Sequence, residues 1–404
     1  MRTLAYAALG LSLCAVPAGA ANLVVDRDGH ATPSNCNAST VTPYLTIQSA
    51  IDAAGPRDTI TVCPGSPYDE QPVITKPLTL RGKGDATVRP SPIADNTTSL
   101  TTGNPIAAGI LVTETTGVTI ESLTVDGADG GGTDCLKNPV GIYFRNASGT
   151  VQNAAVRNMR LGAGLEGCQG GLGILVQSGE GATADVLVEG SSVHNYQKNG
   201  ITGQGAGTTL DAMRNRVTGL GPTPHIAQNG IQLSAGAGGN IQKNVVANHV
   251  WTPCTFEQCL FVSTNILLFN PAEGVVVKGN TLANSQVSLY IIGSGGSFQG
   301  NDVTQTSPSD ALAVVGGDNT LSSNKVSHAE SAGISLDGDG NSVRRNRVNE
   351  APIGIWNING TNSIGNGIQT NNFFNVGEEV HTGSLSAPGR GALRSAHSAP
   401  SPVS

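Results

Sequence analysis

Three side chains that exchange protons readily lie within five residues of one another in the stretch VHNYQKNG: His194, Tyr196 and Lys198. An earlier part of the chain adds Arg145. Elimination from a uronate needs a base beside the carboxylate, a cation that neutralises this carboxylate and an acid for the leaving oxygen. We therefore predict these four residues as catalytic candidates. The competing interpretation is that they are polar loop residues on a solvated rim, because residue types outside a motif rarely identify a site.

The elements that would position these residues are indicated by an internal repeat. A small residue followed by an aliphatic one recurs from about residue 140, and the last five occurrences lie 21 to 23 residues apart. Each unit contains short alternating strands and is too short to bury its own apolar face. Stacked units would bury a continuous column, as the coils of a parallel β-helix do. The pairs are Gly141-Ile142, Gly173-Ile174, Gly200-Ile201, Gly230-Ile231, Asn265-Ile266, Ser288-Leu289, Ala311-Leu312, Gly333-Ile334 and Gly354-Ile355.

A second mark consists of asparagine, any residue, and then valine or leucine. We expect each asparagine to occupy a tight turn, where it tolerates a left-handed backbone and its amide bonds the chain. Stacking would align these amides into a ladder. The asparagines are Asn215, Asn244, Asn280, Asn301, Asn324 and Asn346.

The amino-terminal segment carries a family resemblance. This segment resembles the start of many pectin-lyase-like β-helix proteins, pectin methylesterases among them, in the stretches TIQSAIDAA and TITVCPG and in VITKPLTLRGKG, which follows them. The later repeats, over roughly residues 105 to 376, are similar to the exported right-handed β-helix repeat. The resemblance implies an all-β, right-handed parallel β-helix.

A short helix is predicted at the amino-terminal end of this solenoid. Ile47, Ala50, Ile51 and Ala54 have helical spacing and form one apolar face, and Thr46 can act as the N-cap. A β-helix has an open apolar end that a terminal element must cover. We therefore predict an N-terminal capping helix.

The resemblance also implies a binding groove along the strand that each Gly-Ile pair opens. If the isoleucine points inward, the next residue and the one two beyond it point outward. On the early coils these outward residues have side chains that can hydrogen-bond and carry little charge, and loops at 126–138, 161–171, 219–229 and 249–264 enter from the same side. We predict an extracellular polysaccharide as ligand and the following substrate-binding residues: Tyr143, Gln177, Gln204, Gln232, His249 and Trp251.

On the later coils the outward positions become apolar: Leu267, Phe269, Tyr290, Ile292 and Val315. Such a stripe is unusual when it faces water. We predict that a loop, the carboxy-terminal tail or another chain covers it. The competing function is a non-catalytic secreted or surface scaffold that docks a protein partner on these coils.

Other chemistries find less support. Hydrolysis needs two facing carboxylates, and the outward positions offer only Asp337. The Asp-Phe-Ile-Phe-Gly and Gly-Arg-Pro-Trp segments of pectin methylesterases are absent. Elimination is therefore the favoured reaction. No cofactor or metal site is predicted: the runs DGADGGGTD and DGDGNS are typical of turns, with Ca²⁺ at the first as the weaker alternative.

Composition and the first residues indicate an exported protein. Residues 1–20 contain Arg2, an apolar run and Ala18-Gly19-Ala20, as a signal peptide does. No later segment has the ~18 consecutive apolar residues of a transmembrane helix. The net charge is −7 and the sequence has no basic stripe, which argues against nucleic acid as a partner. We expect a secreted or periplasmic location.

Six cysteines follow residue 20, and an even count in a chain expected to be exported favours disulfides, although the sequence alone does not fix which cysteines pair. We predict the sequential pairing Cys36–Cys63, Cys135–Cys168 and Cys254–Cys259; the alternative is that some of these cysteines are free and buried. The predicted organisation has four parts. Residues 21–75 form the N-terminal cap and first strands, and residues 76–376 form the β-helix. Residues 1–20 form the signal peptide, and residues 377–404, which are rich in Ser, Ala and Pro, form a disordered tail.

Overall fold

The computed structural model describes residues 20–28, 36, 43–128, 134–254, 261–306, 309–365 and 367–384. The first elements in chain order are β1 (Asn22–Val25), α1 (Ile47–Ala53), β2 (Asp58–Val62), β3 (Val73–Ile74), β4 (Leu78–Gly82), β5 (Thr87–Val88), β6 (Thr97–Thr98), β7 (Pro105–Thr113), β8 (Val118–Glu121), β9 (Thr124–Asp126), β10 (Asn138–Arg145), β11 (Gly149–Gln152), β12 (Ala155–Arg157), β13 (Leu172–Gln177), β14 (Ala184–Glu189), β15 (Ser192–His194), β16 (Asn199–Gln204), β17 (Thr208–Met213) and β18 (Arg216–Thr223).

The remaining elements are β19 (Asn229–Ser234), β20 (Asn240–Gln242), β21 (Val245–Trp251), β22 (Thr264–Phe269), β23 (Val276–Lys278), β24 (Thr281–Ser285), β25 (Val287–Ile292), β26 (Ser297–Gln299), β27 (Asp302–Thr306), β28 (Leu312–Val315), β29 (Thr320–Ser322), β30 (Lys325–Ala329), β31 (Ala332–Asp337), β32 (Ser342–Arg344), β33 (Arg347–Asn359), β34 (Ser363–Ile364), the short 3₁₀ helix η1 (Gly367–Gln369) and β35 (Asn372–Thr382).

These strands wind through three parallel sheets, one strand of each per coil. Sheet A is ordered β1-β2-β4-β8-β11-β14-β17-β20-β23-β26-β29-β32-β34. Sheet B runs β5-β9-β12-β15-β18-β21-β24-β27-β30, and sheet C runs β3-β7-β10-β13-β16-β19-β22-β25-β28-β31. β33 and β35 continue both B and C. The predicted parallel β-helix is confirmed.

The core is a continuous column inside the coils. Ile142, Ile174, Ile201 and Ile231 are in direct register on adjacent strands of sheet C, and each is fully buried. Each coil contributes side chains that only its neighbours can enclose, which is why the fold needs many coils. Burying a large aliphatic side chain contributes about 1.5–3 kcal/mol, so the column carries much of the stability.

The amino-terminal end is covered by α1, as predicted. Ile47, Ala50 and Ile51 of this helix are buried, and the Thr46 hydroxyl accepts a hydrogen bond from the Ser49 backbone N–H at 3.1 Å. The Glu70 carboxylate accepts from two further backbone N–H groups at the helix start, those of Ile47 and Gln48, at 2.7 and 2.9 Å. These contacts satisfy donors that a helix N-terminus otherwise leaves free.

A ladder of buried asparagine amides links the coils at the turn between sheets A and B. The Asn301 Oδ1 accepts from the backbone N–H and the Nδ2 of Asn280, at 3.0 and 2.9 Å, and the Asn301 Nδ2 donates to the carbonyl of Val277 at 3.0 Å. The same pattern runs through Asn215, Asn244, Asn280, Asn301, Asn324, Asn346 and Asn371.

One detail of that prediction is wrong. The left-handed residue at each turn precedes the asparagine: Arg214, Lys243, Ser323 and Arg345 have φ of 56°. Glycine holds the same place at Gly279 and Gly300. The asparagine itself keeps its side-chain amide in the stacked row, where the amide can bond the coils on both sides.

Two predicted disulfides are present, Cys36–Cys63 and Cys135–Cys168, with Cα atoms 5.6 and 5.1 Å apart. Cys254 is also disulfide-bonded. Its predicted partner Cys259 lies outside the described residues, so that pairing stays a prediction. The predicted signal peptide, apart from Ala20, also lies outside the described residues.

The last strand extends past residue 376, the predicted end of the β-helix. β35 continues to Thr382, because Glu378, Val380, His381 and Thr382 pair with β33 in sheet C. The rest of the predicted tail, residues 385–404, lies outside the described residues. Within the described part of the chain, the structure contains no helix long and apolar enough to cross a membrane.

Replacing Asn301 by alanine tests the ladder. The change leaves the buried backbone N–H of Asn280 without an acceptor and the carbonyl of Val277 without this donor, so we expect a loss of about 2–4 kcal/mol in the free energy of unfolding. Urea unfolding measures it. The exposed neighbour provides the control, since Asp302→Ala should change stability by less than about 0.5 kcal/mol. Equal losses in both variants would contradict this role for the ladder.

Candidate functional site

The predicted substrate-binding residues on sheet C point outward, but they are covered. Tyr143, Gln177 and Gln232 are at most 1% exposed, and Gln204 is 7% exposed. These four side chains therefore do not face an open groove in this structure, and their substrate-binding roles stay predictions.

Over Tyr143 and Gln177, the cover is formed by the segment between β5 and β7, which folds back over the strands. Within it, β6 pairs antiparallel with β7. The Gln177 Oε1 accepts from the Leu100 backbone N–H at 3.0 Å and from the Tyr143 hydroxyl at 2.5 Å. Its Nε2 donates to hydroxyls of Ser99 and Thr101 and to the Gln204 Oε1 at 2.8 Å. All polar atoms of the Gln177 amide are therefore used inside the protein.

Tyr196 and His249 lie inside the coil stack. The Tyr196 hydroxyl donates to Nε2 of His249, and Nδ1 of His249 donates to the Asn265 Oδ1 at 2.7 Å. The Asn265 amide nitrogen bonds the carbonyl of Ala283, which leaves its oxygen as the acceptor. Burial lowers the pKa of His249 to about 4 and raises the pKa of Tyr196. Neither side chain reaches the surface.

The other candidates are scattered. The Lys198 ammonium donates to the carbonyl of Ala227 at 2.7 Å under the 219–229 loop, and burial lowers its pKa to about 8. Arg145 lies at the end of β10 and pairs with Glu114 at 3.2 Å. Trp251 is partly exposed and packs edge-on against Phe261, with ring centroids 4.9 Å apart. The structure does not bring His194, Tyr196, Lys198 and Arg145 together, and their catalytic roles stay predictions.

An open outer face with convergent charges occurs instead on the early strands of sheet B. Asp126, Arg157 and His194 stand in direct register on β9, β12 and β15, each one residue after a buried valine. The Arg157 Nε donates to the Asp126 carboxylate at 3.0 Å, and a nitrogen of Arg89 lies 3.7 Å from the same carboxylate. We call these four residues and Arg160 the basic face.

The carboxylate beneath this face is firmly held. Asp126 is 3% exposed and accepts from the Asn158 amide at 2.8 Å and the Ala128 backbone N–H at 2.9 Å. Desolvation opposes its ionisation, but these hydrogen bonds and Arg157 outweigh it and lower the pKa of Asp126. Asp126 therefore acts as a fixed anion that orients Arg157, whose side chain remains 38% exposed.

His194 is half-buried beside this pair. Desolvation and the neighbouring charge of Arg157 lower the pKa of His194, while Asp126 opposes them. The imidazole is therefore neutral at pH 7 and can accept a proton. Arg160 borders the site, with a guanidinium nitrogen 3.5 Å from the Asn195 Oδ1.

Sequence reasoning missed Arg89, Asp126 and Arg157 as site residues. A signal was present: a valine followed by a polar residue recurs as Val88-Arg89, Val125-Asp126, Val156-Arg157 and Val193-His194. This second outward row lies on sheet B, whereas the Gly-Ile pairs mark the strands of sheet C.

The later coils of sheet C form a covered apolar cluster. Leu267, Tyr290 and Ala313 are at most 5% exposed in the single chain, and Phe269, Ile292 and Val315 pack around them half-buried. The predicted apolar stripe is thus largely covered without a partner chain.

The two acidic runs behave differently. Asp129 of the first run lies outside the described residues, and Ca²⁺ there stays a prediction. In the second run, Asp337 accepts from the Asn359 amide and Asp339 from the Thr361 backbone N–H, at 2.8 and 2.7 Å. These contacts are those of a turn. In the described parts of the chain, no three His, Cys, Asp or Glu side chains form a group that could hold a metal.

The buried His249 predicts a specific acid sensitivity. Its pKa is about 4 in the folded protein and 6.5 in the unfolded chain, so the unfolded chain binds more protons between these values. The stability that neutral His249 contributes is complete above pH 6.5, and the free energy of unfolding falls by about 3 kcal/mol as the pH drops to 4. Urea unfolding across this range should show a shallower pH dependence for His249→Gln. The exposed loop variant His225→Gln is the control; a slope unchanged in His249→Gln would contradict the account.

Comparison with known proteins agrees with this architecture. Residues 108–303 match the family model described as a right handed beta helix region. No curated protein sequence matches the chain. Similar solved structures include a GH136 lacto-N-biosidase from Eubacterium ramulus, with 11% identity, a TM-score of 0.58 and coverage of 90% of this chain and 68% of that one.

Two further structures are similar. The family 28 exopolygalacturonase from Yersinia enterocolitica has 12% identity and a TM-score of 0.52, and 84% of this chain aligns with 75% of that one. The A-module of a mannuronan C-5 epimerase from Azotobacter vinelandii has 12% identity and a TM-score of 0.50, with coverage of 84% and 95%. Identities this low show a shared fold and no more. The chain is a right-handed parallel β-helix protein.

Proposed function

We propose that this protein binds an acidic extracellular polysaccharide on the basic face of sheet B. The observation that carries the proposal is the direct register of Asp126, Arg157 and His194 on three adjacent strands of an open face. Uronate units along a polymer present carboxylates at intervals, and a guanidinium binds a carboxylate through paired hydrogen bonds. Arg157, Arg89 and Arg160 supply such donors.

The way in which Arg157 is held supports this role. The buried Asp126 accepts from the Arg157 Nε, and the Arg157 side chain is 38% exposed. An arginine fixed in this way loses less conformational entropy on binding than a free surface side chain. Three arginines against one aspartate also leave the face with a net positive charge, in a chain whose net charge is −7.

The chemistry of the face also allows elimination. Arg157 would neutralise the uronate carboxylate, and neutral His194 would remove the adjacent proton as the bond to the leaving oxygen breaks. The leaving oxygen would take its proton from water, because Tyr196 and Lys198 are buried and Arg145 lies on sheet C. We therefore propose binding as the function and elimination as the reaction to be tested.

Two general observations are consistent with this proposal. The Cys36–Cys63 and Cys135–Cys168 disulfides are typical of oxidising compartments and so favour an extracellular or periplasmic location. The names of two similar structures, an exopolygalacturonase and a mannuronan epimerase, refer to acidic polymers. The competing scaffold function has less support, because the apolar later coils are already largely covered within one chain.

Binding is tested with oligogalacturonate and oligomannuronate, and with a neutral dextran oligomer as the uncharged comparison. We expect Arg157→Ala to weaken binding of the acidic oligomers by about 10- to 100-fold, the loss of one charge-assisted hydrogen-bonding group. Titration calorimetry measures it. Arg345→Ala, which removes an exposed arginine from a turn far from the face, should leave the affinity unchanged. Equal affinity of all three proteins, or equal binding of dextran, would contradict the proposal.

Elimination is tested separately by the ultraviolet absorbance of an unsaturated product. We expect any activity on polyuronates to fall about 100-fold or more in His194→Ala, since general base catalysis contributes that much. Oligomer affinity should change much less. Activity that survives in His194→Ala would show that another residue is the base, and absence of product from the wild-type protein would leave binding as the function.

A further inference from the structure

The last coil exposes a strand edge and apolar side chains. β35 pairs with β33 along one edge, and none of the described residues pairs with its other edge. Val380 is in register with the fully buried core residue Ile355, yet it is 37% exposed, and Phe373 continues the position of buried Val348. Within the part of the chain that the structure describes, the core column therefore ends at a surface, whereas α1 covers its amino-terminal end. Uncovered edges of this kind pair readily with other strands.

We propose that two copies of this chain stack end to end through β35. A closed pair of identical chains has a two-fold axis, which makes the two β35 strands antiparallel. β35 bends between sheets B and C near Val376 and Gly377. An axis through this corner places the sheet B part of one strand over the sheet C part of the other, and both outer faces stay outside.

The side chains of β35 suit this register. With the axis between Val376 and Gly377, Phe373 lies opposite Val380 of the second copy, and both are inward-facing apolar residues that the contact would bury. Glu378 lies opposite Asn375, so neither glutamate of the strand faces a like charge; Glu379 lies opposite Phe374. The strand is thus complementary to itself, which a two-fold contact requires.

The other occupant to consider is the end of the same chain. Residues 385–404 contain Pro388, Pro400 and Pro402, and their large apolar residues are only Leu385, Leu393 and Val403. Proline lacks the backbone donor that a paired strand needs. This composition is poorly suited to an added strand, which favours a second copy.

Sedimentation equilibrium of the full mature chain tests the proposal over a range of concentrations from micromolar upward. We expect a monomer–dimer equilibrium and at least a tenfold weaker association for Val380→Lys, which places a charge opposite Phe373. Leu45→Lys changes an apolar residue at the opposite end of the stack that is more exposed than Val380, and it should leave association unchanged. Thermal unfolding verifies that both variants are folded. A wild-type chain that stays monomeric, or equal effects of the two variants, would overturn the proposal.

Cysteine pairing tests the register directly. Asn372 lies opposite His381 of the second copy, where antiparallel Cα atoms are about 4.5–5.5 Å apart, a separation that a disulfide can span. An equal mixture of Asn372→Cys and His381→Cys chains should give a cross-linked dimer under mild oxidation, and each variant alone should not. Cross-linking in neither the mixture nor the single variants would exclude this register. A chain shortened at residue 384 that dimerises where the full chain does not would identify the tail as the occupant and overturn the proposal.

Discussion

The central constraint on this molecule is that no coil can bury its own apolar residues or satisfy its own turn. Ile174 is enclosed by Ile142 and Ile201 of the adjacent coils. The Asn301 amide oxygen accepts from the Asn280 backbone N–H of one neighbouring coil, and its amide nitrogen donates to the Asn324 Oδ1 of the next. Each coil is therefore stable only within the stack. The constraint has a direct consequence at the ends: α1 closes one end, and no residue of the described ranges covers β35 at the other.

Because the interior is given over to stacking, specific chemistry is restricted to the outer faces and the loops. The outer face of sheet C is occupied by the protein itself: residues 97–101 bond Gln177, and a separate apolar cluster lies around Tyr143. The early strands of sheet B stay open. There, the register that stacks Val125, Val156 and Val193 inside also aligns Asp126, Arg157 and His194 outside. The same periodic constraint thus produces the core and the candidate site.

The architecture could be predicted from the sequence because it repeats. The Gly-Ile pairs, the Asn-x-Val marks and the amphipathic helix of Thr46 to Ala54 each report a local periodic requirement. The site could not be predicted in the same way. Whether Tyr143 and Gln177 meet solvent depends on residues 97–101, which return over them from an earlier coil and show no periodicity. The sequence predicts Tyr196 as a catalyst and His249 as a substrate-binding residue, but both are buried because the turns place them inside the stack.

The proposed ligand face lies on sheet B, whereas the Gly-Ile pairs suggest a groove on sheet C. The most direct measurement is a crystal structure of the protein with a bound oligouronate. The account predicts density for the sugar over β9, β12 and β15, with a carboxylate on the Arg157 guanidinium and a ring carbon near His194. Density along the strands of Tyr143, Gln177 and Gln232, with residues 97–101 displaced, would contradict it.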